Sequence, residues 1–134
     1  MAKSKVTIKN PDFSKWKSAI QDLTVKTGLK IEETAKETAP VDTGNYRSEI
    51  NYDGANSVIA SANYSADIEY GTGAHIIEPV TAKALHFKKD GKEVFAKLVH
   101  HPGTKPNPVM RNAAAQVQKE IPQIWQEAQK ANGL

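Results

Sequence analysis

The sequence predicts an α+β domain: an antiparallel β-sheet with a long hairpin, packed by a long N-terminal helix and a C-terminal helix. Three observations predict it. Helical apolar stripes stand at both ends of the chain, each opened by an Asn-Pro pair, Asn10-Pro11 and Asn107-Pro108. Between them, short segments alternate apolar and polar residues with the period of two that a half-buried strand requires. Asp90-Gly91, inside the longest alternating stretch, is a two-residue type I′ turn signal. At 134 residues the chain suffices for one ordinary core, so residues 1–134 are expected as a single domain, with 1–10 a basic arm.

The elements follow in order. Asn10 is the expected N-cap of the first helix, Pro11 its first helical residue, and Asp12 a carboxylate at the positive helix end. Phe13, Trp16, Ile20 and Leu23 step by three and four, as one helical face requires. Thr27, Ile31, Ala35 and Thr38 continue the stripe with weaker residues until Pro40 stops it. A helix over 11–39 would run about 43 Å, longer than so small a domain is wide. Gly28 is therefore expected to bend or break it, unless the Thr-rich second half packs on a neighbouring subunit. Asp42 or Thr43 is expected to cap a short turn over 45–48. Strands follow at 49–53 and 57–61, with Ile50, Tyr52, Val58 and Ala60 alternating, then a short helix over 64–70 ended by Gly71-Thr72-Gly73.

A strand over 75–78 closes at Pro79. In the hairpin, Lys89 then faces Lys92, Lys88 faces Glu93, Phe87 faces Val94, His86 faces Phe95 and Leu85 faces Ala96. Leu85, Phe87, Val94, Ala96 and Leu98 share the expected core face. His86, Lys88, Phe95, Lys97 and Val99 share the other. That second face is mixed rather than polar, which predicts cover by another element or another subunit. The segments over 49–61 and 75–99 are expected to build one sheet. In the last helix Met110, Ala113, Ala114, Val117, Ile121, Ile124, Trp125 and Ala128 form a clean stripe, and Pro122 is expected to kink or restart it.

Composition excludes several classes. The chain has no cysteine, so neither disulfides nor thiolate catalysis operates. No apolar run approaches the roughly 20 residues that span a bilayer, and residues 1–10 lack the apolar core of a secretory signal. Charge is segregated. Residues 1–20 carry five lysines and one Asp (+4), residues 40–77 one Arg and five acids (−4), and residues 78–105 six lysines and three acids (+3). Such blocks fit either a random surface or complementary patches that meet between subunits.

Candidate chemistry is thin. Asp42-Thr43-Gly44 matches the tripeptide of aspartic proteases, but those place it after a hydrophobic strand, and here a helix precedes it. His100 and His101 are adjacent, so on an extended chain they point to opposite sides, and neither they nor His75 and His86 have a carboxylate at ligand spacing. Gly71-Thr72-Gly73 lacks the context of a phosphate-binding loop. No catalytic residue, metal ligand or cofactor site is expected, and the chain is not expected to be an enzyme. Lys88, Lys89, Lys92 and Lys97, interleaved with His86 and Phe95, make a basic nucleic-acid-binding protein the rival reading. Only two arginines and no base-reading motif accompany them.

Taken in order, several segments resemble a family of tailed-phage neck and tail-component proteins typified by gene product ten of phage HK-ninety-seven. They are a long first helix; Ala39-Pro40-Val41-Asp42-Thr43-Gly44; Tyr64 through Glu69 to Gly71-Thr72; and His101-Pro102-Gly103-Thr104-Lys105-Pro106-Asn107-Pro108 running into a helix. The resemblance covers roughly residues 11–131. Asn45-Tyr46 stands where a Gly-Leu pair is expected, and Val109 where an aromatic is common. The resemblance implies a structural virion protein of a phage or prophage, involved in head–tail joining or tail completion. It would assemble as a ring with itself and with head-connector or tail proteins, in the host cytoplasm and then in the virion. It makes Pro40, Asp42, Thr43, Gly44, Tyr64, Glu69, Gly71, Thr72, His101, Pro102, Gly103, Pro106 and Pro108 the family-motif positions. His86, Lys88, Lys89, Lys92, Phe95, Lys97 and Val99 become the candidate subunit interface or DNA-facing set. In such a ring the acidic 40–77 block would face a neighbour's basic hairpin, with lysines turned toward passing DNA and no contact with a membrane.

Overall fold

The computed structural model describes residues 2–7, 12–41, 45–79, 85–96 and 98–134, and at positions 85, 87–89, 94 and 96 it describes the backbone alone. The fold mixes helix and strand as expected: a long N-terminal helix, C-terminal helices and small antiparallel ladders.

Helix α1 (Ser14–Thr38) is continuous over 25 residues, about 38 Å. Asn10 and Pro11 lie outside the described residues, and the helix begins later than those two residues predict. Its first free N–H, on Ser14, is met by Asp12 Oδ1 at 2.9 Å. Gly28 neither bends nor breaks the helix. It is the seat of the Tyr52 ring, which lies where a Cβ on residue 28 would stand. The ring is held from its far end by a hydrogen bond from the Tyr52 hydroxyl to the Ala55 carbonyl, 2.7 Å. Adding bulk there overpacks a fixed contact, and Gly28→Val is expected to lower stability by about 2 kcal/mol. Urea denaturation checks this, and pairing the change with Tyr52→Ala is expected to recover part of the loss.

The large apolar residues and the buried residues of α1 occupy different places. Phe13, Trp16 and Ile20, expected in the core, are exposed, whereas Ala19, Gly28, Thr34 and Ala35 are buried. The middle of the chain covers the far end of the helix. There α2 (Asn45–Ser48) and the ladder of β1 (Ile50–Tyr52) with β2 (Val58–Ala60) close over it. Small residues on α1 let these elements approach. The core that results contains Ala35, Ala39, Tyr46, Ile50, Val109 and Ala113. Tyr46 thus fills the position where a leucine was expected.

Among the described residues the strands do not form one sheet. They form three separate two-stranded antiparallel ladders: β1 with β2, β3 (His75–Ile77) with β6 (Val99–His101), and β4 (Leu85–Lys89) with β5 (Lys92–Ala96). On β1, the Tyr52 N–H donates to Glu32 Oε2 on α1 at 3.1 Å, so the helix, rather than a third strand, satisfies that donor. The β4–β5 register is the predicted one at all five pairs, and Asp90 (φ 51°) and Gly91 (φ 77°) make the expected turn. The hairpin ends at Ala96, however. Val99 belongs to β6, where it pairs with Ile77, and not to the hairpin face with His86 and Phe95.

After α3 (Ser65–Tyr70), β3 and the hairpin, the chain returns through β6 to α4 (Val109–Gln118). Pro122 restarts the helix as α5 (Ile121–Ala131) within its first turn, where a missing N–H costs little. Both α4 and α5 pack along α1.

Candidate assembly surfaces and the clasp beneath them

Two of the segments on which the resemblance rests, about thirty residues apart in sequence, meet in space. The Thr72 N–H donates to the Thr104 carbonyl at 3.1 Å, and the Thr104 N–H donates to the Thr72 carbonyl at 3.0 Å. The two threonine hydroxyls lie 3.1 Å apart, and Thr72 Oγ1 also accepts from the Thr104 N–H at 3.0 Å. This clasp admits no side chain at its two crossing points. Gly71 (φ 74°) has Thr104 and Pro106 where its Cβ would stand, and Gly103 (φ 89°) has Thr72 and Gly73. A positive φ already favours glycine, and here backbone fills the space as well.

Glu69 locks the same junction to the C-terminal helices. Its buried carboxylate accepts from the Met110 N–H at 2.9 Å and from the Arg111 N–H at 3.1 Å, both in the first turn of α4. It also pairs with Arg111 Nε at 2.9 Å, while Arg111 Nη2 donates to the Glu69 carbonyl at 2.8 Å. Arg111 further stacks over the Tyr70 ring, 4.6 Å from its centre. Asn107 was the expected cap of α4. Instead its N–H donates to the Ile68 carbonyl at 2.8 Å, Pro108 takes the cap position, and Glu69 supplies the capping carboxylate from another element. Burial disfavours the Glu69 carboxylate, but the hydrogen bonds from Met110 and Arg111 outweigh burial and hold the carboxyl below its ordinary value.

Other motif positions serve the same frame. Pro40 lies at the end of α1, and the Tyr64 ring stands 6.3 Å from Tyr46 with its hydroxyl bonded to Asn45 Nδ2 at 3.2 Å. His101 stacks on His75 across the β3–β6 ladder at 4.8 Å, and its Nδ1 accepts from the Gly103 N–H at 3.0 Å. Nδ1 is therefore unprotonated in this geometry, and the ring proton sits on Nε2. His75 Nδ1 bonds the Gly73 carbonyl at 2.9 Å. These rings brace the clasp, and Pro102 beside them is exposed. Asp42, Thr43 and Gly44 lie outside the described residues. Among the described residues, no group of three or more His, Asp or Glu side chains is placed to hold a metal ion, and no helix is long and apolar enough to cross a membrane.

Among the described residues, the β4–β5 hairpin packs extensively only strand against strand. His86 and Phe95 stack face to face at 4.5 Å and both are exposed, Phe95 at 67%. His86 Nε2 lies 3.8 Å from Glu93. Lys92 is exposed. The backbones of Lys88 and Lys89 lie in β4, and Lys97 lies outside the described residues.

A second apolar surface, not anticipated from the sequence, lies at the start of α1. Phe13, Trp16 and Ile20 are 62%, 42% and 54% exposed. Trp16 meets Trp125 of α5 at 6.2 Å. Ile20, Leu23, Ile121 and Pro122 continue this surface as an open groove of about 500 Å³. Sequence periodicity marks this face as apolar without showing what covers it. No protein-family model, curated protein or solved structure matches the chain.

Proposed function

We propose that the chain is a structural virion protein of a tailed phage or prophage, a subunit of a ring at the neck or at the head-proximal end of the tail. It acts by joining or completing these parts and catalyses no reaction. The observation that carries this reading is the clasp. Glu69, Gly71, Thr72, His101, Gly103, Pro106 and Pro108 converge on one junction, and the β4–β5 hairpin leaves His86 and Phe95 bare. A strand pair with an exposed aromatic face suits contact between subunits. The hairpin lysines suit the wall of a DNA passage without base readout.

The rival is a basic protein that binds nucleic acid directly. Light scattering and negative-stain microscopy of the isolated protein are expected to find closed rings. DNA binding by the monomer with a steep salt dependence, and no rings, would favour the rival.

A further inference from the structure

In sequence, residues 40–77 carry −4 and residues 1–20 carry +4. Of these charges, Lys15 and Lys17 stand at the start of α1 and Glu49 and Asp53 on the β1–β2 ladder, and these two places lie apart. Phe13, Trp16 and Ile20 occupy the first turns of α1, flanked by exposed Lys15 and Lys17. The acidic block leaves the other end of α1, and its β1 strand is tied beside Gly28 and Glu32. Trp16 and Glu32 stand roughly 24 Å apart along the helix. The two surfaces therefore cannot meet within one copy.

Each carries exposed apolar side chains beside charged ones. The basic half has large exposed aromatics at its centre and lysines at its rim. The acidic half presents Ile59, 50% exposed on the outward side of β2, near Glu49 and Asp53. Asp53 is held in its ionised form by backbone N–H donors of Ala55, Ser57 and Asn56, which lower its pKa. Glu69 is not available to a partner, since Arg111 and α4 occupy it.

We infer that the aromatic start of α1 in one copy docks on the acidic β1–β2 surface of a second copy. The contact is head-to-tail: two different patches meet, so a pair of copies retains one free patch of each kind, and the series closes into a ring or runs on as a filament. It replaces the hairpin as the complement of the acidic block and leaves the hairpin lysines free for DNA. It deepens the ring reading and rests on it only for closure.

The test uses the full chain, with Phe13→Ser on one patch and Ile59→Ser on the other. Both side chains are exposed, and far-UV circular dichroism checks that the fold is kept. In sedimentation velocity, the parent is expected to associate and to dissociate as salt rises. Each variant is expected to weaken association about 30-fold or more, the loss of a central anchor. An equimolar mixture of the two is expected to form a one-to-one dimer and nothing larger, because only one intact pairing remains. Variants that assemble like the parent would overturn this contact and leave the ring reading standing. A mixture that stays monomeric while the parent assembles would also overturn it. Open filaments of the parent, abolished by either variant, would support the contact and contradict the ring. A parent that is monomeric at high concentration would overturn both.

Discussion

Replacing Glu69 with alanine is expected to lower stability by about 2–3 kcal/mol. The change removes a cap from two N–H groups of α4, worth about 1–2 kcal/mol, and takes from Arg111 its carboxylate partner. The guanidinium is half exposed, so water compensates part of its loss, which keeps the figure below that of a fully buried pair. The pH dependence follows from the same geometry. The folded carboxyl is held below its ordinary value of 4.5, so the unfolded chain binds the proton more readily. The stabilisation is therefore complete above that value and is lost as pH falls through the lowered folded value. Urea midpoints measured between pH 3 and 7 are expected to fall at the acid end in the parent. They should fall less steeply in Glu69→Gln, which cannot ionise. A residual slope is expected from Asp12, Glu32 and Asp53, whose pKa values hydrogen bonds also lower.

Gly103→Ala is expected to cost about 3 kcal/mol. The left-handed φ of 89° strains any Cβ, and this one would enter the Thr72 carbonyl, which the clasp holds in place. The relief available is separation of the two loops. Hydrogen exchange at the Thr72 and Thr104 amides should therefore accelerate even where the helices keep their protection. Gly73→Ala is the control. Nothing stands where its Cβ would be, and it lacks a positive φ, so a change within about 0.5 kcal/mol is expected. Equal losses at both glycines would contradict the interlocked geometry.

Local features of this chain were legible in its sequence. Asp90-Gly91 and strict alternation set the hairpin register, since a slip of one residue would turn every side chain to the opposite face. Pro122 announced the restart of the last helix. What could not be read was long-range. Gly28 reads as a helix weakness until Tyr52 is seen to occupy its missing side chain. Glu69 sits on one helix and caps another, a role that no spacing within either helix encodes. The start of α1 reads as core because periodicity reports a face without reporting what covers it. The single expected sheet divided because periodicity identifies strands but not their partners, and β6 found β3 across the hairpin. Of the candidate site, His86 and Phe95 were legible as a mixed face, whereas the partnership of Gly71-Thr72 with Gly103-Thr104 required the fold.

The central claim is that this chain joins or completes the parts of a virion. Deletion of its gene from the parent phage tests that claim most directly, with the products of infection counted by electron microscopy. Filled heads and free, unjoined tails are expected, with joined particles restored when the protein is supplied in trans. Normal infectious particles in its absence would contradict it.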